Sequence, residues 1–330
     1  MTRITGLILL GVALFALVVA CTSEPETETV SIELDWSPPN ANHSGIYAAI
    51  DQGYFEEENL EVDVSVPADA AAIAQLVGSG QRDFGIFYQT DTTLARAAGV
   101  PVVAVRAIVQ SPINSLMALK SSGITRPGDL KGKKVGYPGI EWDELMLAAM
   151  LEADGLTLDD VELHDVGYAL SQVLAAGTMD AVIGAYWSYE SFVLEDMGFP
   201  VEIIYPEDWG VPRYYEMMLI TSDQMIEEKP DVVRRFVTAF TKGFEYVAED
   251  GQRGIDILVK LNEDSIDESS ESLDRRGIPL LIPAWLDSED GKFGTLSESQ
   301  WKSVGDYMKS RDLIPQDFDV STAWTDEFYK

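Results

Sequence analysis

The feature that most constrains this chain is a repeated switch between two hydrophobic periods. In "VSIELDW" (30–36), Val30, Ile32, Leu34 and Trp36 fall on one face at a period of two, which predicts a half-buried strand. A helix is expected from Ser44 to Gly53, then a strand in "LEVDVSVP" (60–67) and a helix in "AAAIAQLVGSG" (70–80). Next come a strand in "DFGIFYQ" (83–89), a helix in "DTTLARAAG" (91–99) and a strand in "VPVVAVRAIVQ" (100–110). Strand and helix in alternation give a mostly parallel sheet covered by helices, an α/β fold.

A second series starts near "NSLMALKSSG" (114–123), with a strand at 133–137, a Pro-Gly turn and a helix over 141–153. "VELHDVG" (161–167), "SQVLAAGTMDAVIGAYW" (171–187) and "VEIIYPEDWG" (201–210) supply strand, helix plus strand, and strand. The segment "YYEMMLITS" (214–222) then leads into the amphipathic "PDVVRRFVTAFTKGFEYVAED" (230–250). Two lobes with a cleft between them follow, the chain crossing near 110–116 and returning near 211–218. Residues 30–112 plus 218–330 are expected to form the first lobe and 113–217 the second. No repeat of fixed period relates the two. Residues 251–330, with Trp285, Trp301 and Trp324, read as scaffold and packing.

The N-terminus has one positive charge, Arg3, followed by an uncharged apolar run from Ile4 to Ala20, slightly short for a membrane span. That pattern is expected of a secretory signal, residues 1–20. It ends in "VVAC" (18–21), which resembles a bacterial lipobox, so Cys21 is expected to receive lipid and hold the protein at the outer face of the cell membrane. Cys21 is the sole cysteine, which excludes an intramolecular disulfide and a thiolate metal cluster. Residues 21–29 form an acidic tether that buries nothing. The formal net charge of −33 argues against nucleic acid and anionic lipid as partners. A high-salt habitat or surface solubility accounts for it equally well.

Ligands of open α/β sheets gather at the carboxyl ends of strands. The strand ends here are aromatic: Trp36, Phe87, Tyr88, Tyr137, Tyr186, Trp187, Tyr189, Tyr205, Trp209, Tyr214 and Tyr215. Stacking on a ring adds about 0.5–1.5 kcal/mol beyond area burial, so a planar, largely uncharged heteroaromatic ligand is expected. Any single one of these aromatics can equally be core. "GYPGIEWDE" (136–144) places a helix N-terminus at the cleft mouth, but Glu141, Asp143 and Glu144 fill its first turn and would repel an anion, which favours a ligand without phosphate. "GSGQRDFG" (78–85) lacks Walker or dinucleotide spacing and reads as turns. The two histidines, His43 and His164, lie in different lobes without acidic or cysteine residues at metal spacing, so no metal is expected, nor any other cofactor. No GxSxG, HExxH or Cys-His pair offers an activated nucleophile. Glu190, alone among aromatics, suits hydrogen bonding to ring N–H or amino groups better than acid/base catalysis, though it can also be merely exposed.

The segments "LDWSPPNANHSGIYAAIDQGYFEEENLEV", "DFGIFYQTD", "GVPVVAV", "SLMALKSSGITRPGDLKGKKVGYPG" and "GVPRYYEMML" recur in order with their spacing in a known family. They resemble the solute-binding lipoproteins of ABC importers that take thiamine-pyrimidine precursors, with a related branch that binds riboflavin. The resemblance covers nearly all of 30–250. It implies the two-lobed periplasmic-binding-protein fold (type II), a monomer and an ABC permease as partner. Carried onto this chain, it makes Trp36 a stacking wall and Asn42 and His43 polar contacts on the first loop, with Tyr88 and Asp91 on the second loop. Tyr186, Trp187, Tyr189 and Glu190 would line the far lobe. Beyond what the resemblance carries over, Tyr137, Trp142 and Trp209 are expected as further ligand contacts. The same fold includes pyrimidine synthases that consume a histidine and use a cysteine-rich iron motif absent here. "DWSPPNANH" carries one residue more between tryptophan and histidine than the pyrimidine binders, and Trp142 and Trp209 stand where smaller residues are expected. A longer loop and two more indoles suit a wider ring, so riboflavin is favoured over the alternative, formylaminopyrimidine or hydroxymethylpyrimidine. An enzyme of pyrimidine synthesis and a purely structural surface lipoprotein are the remoter readings.

Overall fold

A computed structural model describes residues 27–66 and 70–328. The expected signal, the lipidation cysteine Cys21 and most of the tether lie outside them. Among the described residues no helix is long and apolar enough to cross a membrane.

The chain forms two five-stranded sheets flanked by helices. The first takes β1 (Glu28–Glu33), β2 (Leu60–Ser65), β3 (Phe84–Phe87) and β4 (Val102–Val109). The second is built from the uninterrupted middle of the chain: β5 (Asn114–Leu119), β6 (Lys134–Tyr137), β7 (Glu162–Asp165), β8 (Ala181–Tyr186) and β9 (Val201–Ile204). The chain then returns as β10 (Met217–Ser222) to the first sheet. The strand orders are β2-β1-β3-β10-β4 and β7-β6-β8-β5-β9.

Each sheet is mixed in the same way. β10 runs antiparallel to both β3 and β4, and β5 runs antiparallel to both β8 and β9, while the pairings of β1 with β2 and β3 and of β6 with β7 and β8 are parallel. In each sheet the reversed strand is the one that enters it after a crossing: β5 follows β4, and β10 follows β9. Periodicity alone shows each strand but not its direction.

The hydrophobic periods place nearly every element. The expected 141–153 helix is Glu141–Ala153, and the amphipathic 230–250 segment is the helix Pro230–Glu249, whose Phe236, Phe240 and Phe244 are fully buried. Phe84 of β3 stacks on Phe236 with centroids 3.8 Å apart, and Phe244 stacks on Phe293 at 4.7 Å. Trp285 and Trp301 are buried and Trp324 stacks on Trp301, so these late tryptophans are packing. Gly243 lies against Gly45 of the helix Ser44–Asp51. A Cβ at Gly243 would collide with the Gly45 carbonyl and one at Gly45 with the Phe244 ring, so only glycine permits this helix contact.

Candidate functional site

β1 ends before the residues that matter for a ligand. Leu34 and Asp35 continue inward buried, Trp36 turns half-buried, and Pro38 follows Ser37 through a cis bond. Asn40 then folds the chain back on itself: its side-chain oxygen accepts the Asn42 N–H at 3.0 Å, and its own N–H donates to His43 Nδ1 at 3.0 Å. Because Nδ1 accepts, the imidazole proton sits on Nε2, which donates to Asp35 Oδ1 at 2.8 Å. The hydroxyl of Tyr88, at the end of β3, donates to Asp35 Oδ2 at 3.0 Å. Asp35, His43 and Tyr88 are thus a closed, buried chain of hydrogen bonds. From the far side, Asp274 of the helix Glu268–Trp285 accepts the Ala41 N–H at 2.9 Å and fixes the same turn.

This turn faces the second sheet across a narrow cavity. Of the residues expected from sequence, Trp36, Asn42, His43, Tyr88, Asp91, Trp142, Tyr186, Tyr189 and Glu190 line it. Three do not. Trp187 faces a separate surface pocket with Tyr205 and Arg213, Trp209 lies under the Arg126 guanidinium at 5.5 Å, and Tyr137 at the end of β6 packs on the core. Tyr137 ends β6 and Trp187 follows β8, whereas Trp209 ends the short 3-10 helix Pro206–Trp209 beyond β9; neighbouring residues at a strand end face opposite ways, and the cavity takes Tyr186 while leaving Trp187 outside. Trp36 meets Tyr168 edge-on at 4.4 Å. Trp142 is buried edge-on to Tyr214 at 5.5 Å.

Sequence reasoning missed several lining residues, notably Asn114, Asp143, Gly184 and Glu216. Asp143 reads in sequence as a first-turn acid of the helix Glu141–Ala153, but it points inward, is 2% exposed, and its Oδ1 accepts Asn114 Nδ2–H at 2.7 Å. Glu216 accepts the backbone N–H groups of Ile113 (2.9 Å) and Asn114 (3.1 Å), tying together the two segments that cross between the sheets. Glu216 left a signal, a lone charge in the otherwise apolar run "YYEMML" (214–219), whereas Asp143 stands among the first-turn acids Glu141 and Glu144 and left none.

The electrostatics are one-sided. Burial raises the carboxyl of Asp91 to about 7, against the Trp142 N–H that it accepts at 3.3 Å across the cleft. Burial likewise raises Glu190, whose Oε2 accepts the Tyr186 N–H at 2.8 Å, to about 7, and Glu216 to about 7. Asp143 is pushed well above the carboxylate range, by burial first and then by the nearby Asp91 and Glu216. No lysine or arginine lines the cavity among the described residues, nor does any group of three or more His, Cys, Asp or Glu there have the geometry to hold a metal ion.

The site is thus a cavity between two mixed sheets, walled by aromatics and edged by carboxyls. The family model described as NMT1/THI5 like matches residues 40–253. The chain belongs to the NMT1/THI5-like family. It is 35% identical over 289 residues to the formylaminopyrimidine-binding protein of Halalkalibacterium halodurans, covering 88% of this chain and 87% of that one. A putative thiamine biosynthesis protein of Haemophilus influenzae is 32% identical, with 88% and 89% covered. Yeast 4-amino-5-hydroxymethyl-2-methylpyrimidine phosphate synthases of the same family are 28% identical over 252 residues, covering 72% of this chain and 74% of theirs. In structure, the alkanesulfonate-binding protein SsuA of Xanthomonas axonopodis superposes with a TM-score of 0.68 at 15% identity, covering 92% of this chain and 99% of that one, which shows the periplasmic-binding-protein fold.

Proposed function

We propose that this protein is the solute-binding component of an ABC importer and that it captures a thiamine-type pyrimidine precursor of the formylaminopyrimidine class. The observation that carries the reading is the interlobe cavity itself, where Trp36, Tyr186 and Tyr189 offer ring faces and edges and Glu190 stands beside them as an acceptor. A 4-aminopyrimidine is flat and presents N–H donors, so it complements such walls. The relative named for formylaminopyrimidine supports the same class. The lobes, 30–112 plus 218–330 and 113–217, close on the ligand and present it to the permease. The protein acts as a monomer, extracytoplasmic and lipid-anchored through Cys21.

One of the clues that favoured riboflavin loses its force: Trp209 lies outside the cavity, under the Arg126 guanidinium. Binding is preferred to pyrimidine synthesis because both ring nitrogens of His43 are engaged, which makes the imidazole a strut of the wall rather than a reactant. Quenching of intrinsic fluorescence by a ligand panel tests the proposal. Saturable quenching by formylaminopyrimidine or hydroxymethylpyrimidine, with none by riboflavin or an alkanesulfonate, is expected; the reverse pattern would overturn it.

A further inference from the structure

Trp36 belongs by sequence to the first sheet's side of the cleft, yet its indole is packed by the second. The hydrogen bonds that fix the first loop hold Asp35 through His43 and Tyr88 and stop one residue short of it. The indole instead packs with an apolar cluster that includes Met117, Leu170, Val182 and Leu194. Apart from Trp36, every member of that cluster lies within residues 117–203. Beside it, Tyr168 meets Trp36 edge-on, with centroids 4.4 Å apart and planes at 69°. Trp36 lines the cavity and Tyr168 does not.

Tyr168 is presented by a tight turn after β7. The Asp165 side chain accepts the Gly167 N–H at 3.0 Å, and the Ala169 N–H closes the turn on the Val166 carbonyl at 3.2 Å. Gly167 has a φ of 52°, the left-handed region that glycine enters without steric cost. The helix Leu170–Ala175 begins directly afterwards, and its Leu170 and Leu174 belong to the cluster on which Trp36 packs. The turn is therefore held at both ends.

We infer that Tyr168 is a positioning residue of the binding site, acting through Trp36 to set the indole against the ligand. The inference rests on the pyrimidine reading above. An edge-on neighbour fixes the plane of a ring while leaving a face free for stacking. Because Trp36 follows β1 and Tyr168 follows β7, the contact spans the two sheets and exists only while the lobes are together. It thus stabilises the closed form alone, and its loss speeds dissociation more than it slows capture.

A double-mutant cycle on the full chain, read by calorimetric titration with formylaminopyrimidine, tests this. Tyr168→Ala is expected to weaken binding about three- to tenfold, chiefly in the off-rate followed by stopped flow. Tyr168→Phe, which keeps the ring, should stay within about twofold of the unaltered chain. In a Trp36→Ala background, Tyr168→Ala should change affinity by less than about twofold, because the side chain it acts through is gone. An equal loss in both backgrounds, no loss in the unaltered one, or a loss in Tyr168→Phe as large as in Tyr168→Ala would overturn the inference while leaving the pyrimidine assignment standing. If Tyr168→Ala fails to fold, Tyr168→Leu, which keeps bulk without the ring, takes its place in the cycle. Absence of any pyrimidine binding to the unaltered chain removes both readings.

Discussion

Arg276 and Asp196 form a two-pronged ion pair, 2.7 and 2.8 Å, between a helix of the first lobe and one of the second. Arg276 lies on Glu268–Trp285, which packs on the first sheet, and Asp196 ends Glu190–Asp196, which packs on the second. The same guanidinium bonds Glu195 at 2.8 Å and covers the Phe192 ring at 4.3 Å. It thereby ties an element packed on one sheet to an element packed on the other.

Arg276→Ala is therefore expected to weaken ligand affinity modestly, by about two- to fivefold, since partly exposed pairs contribute about 0.2–1 kcal/mol. Titrations at low and high salt check it. The difference between variant and parent should shrink as salt screens the pair; an equal loss at both would mean that Arg276 acts by packing on Phe192.

Trp36→Ala and Trp187→Ala separate wall from surface. Removing Trp36, which lines the cavity, is expected to cost about tenfold or more in affinity, from lost area and about 0.5–1.5 kcal/mol of stacking. Trp187→Ala and Trp209→Ala should leave affinity within about twofold, because both side chains face away from the cavity. Calorimetric titration gives the three constants directly.

His43→Ala strips Asp35 of its Nε2–H donor in a site that is 1% exposed. A loss of about 1–3 kcal/mol in unfolding free energy is expected from the unsatisfied carboxyl, together with weaker binding as the Asn40 turn loosens. Urea unfolding measures the first effect. Unchanged stability would show that Asp35 finds another donor.

The pH dependence of stability has a definite sign. Asp91, Glu190, Glu216 and Asp274 all have folded values raised to about 7 by burial, above those of the unfolded chain. Between the unfolded carboxyl range and pH 7 the folded state binds more protons, so stability falls as pH rises through that window and levels off above it. The ligand-free protein is expected to melt several degrees higher at pH 5 than at pH 7.5. A flat or rising melting temperature over that range would show that these carboxyls are not held protonated. Below the window the trend reverses, because the lowered Asp51, Asp154 and Asp267 lose their partners on protonation.

Strands and helices were legible because their periods differ, and the aromatic run at the strand ends located the cleft. What sequence could not supply was facing. Tyr186 and Trp187 are adjacent and equally aromatic, and only the register of β8 against β5 decides which enters the cavity. Asp143 was hidden for a related reason: a first-turn acid of a helix already has an explanation in the dipole, which masks an inward role. Asn114 and Glu216 lie on the two crossing segments, 102 residues apart, and nothing local announces that they meet.

The placement of β10 between β3 and β4 bears on the order in which the molecule can be assembled. The second lobe's sheet comes from one uninterrupted stretch and needs only contacts within it, so it can close as soon as β9 is available. The first sheet lacks an inner strand until residues 217–222 arrive, more than a hundred residues after β4. Until then β3 and β4 have open edges and no partner for each other. A chain emerging N-terminus first thus completes its middle before its beginning, and the half that carries Trp36 and His43 acquires its final shape only after the opposite wall of the cavity exists.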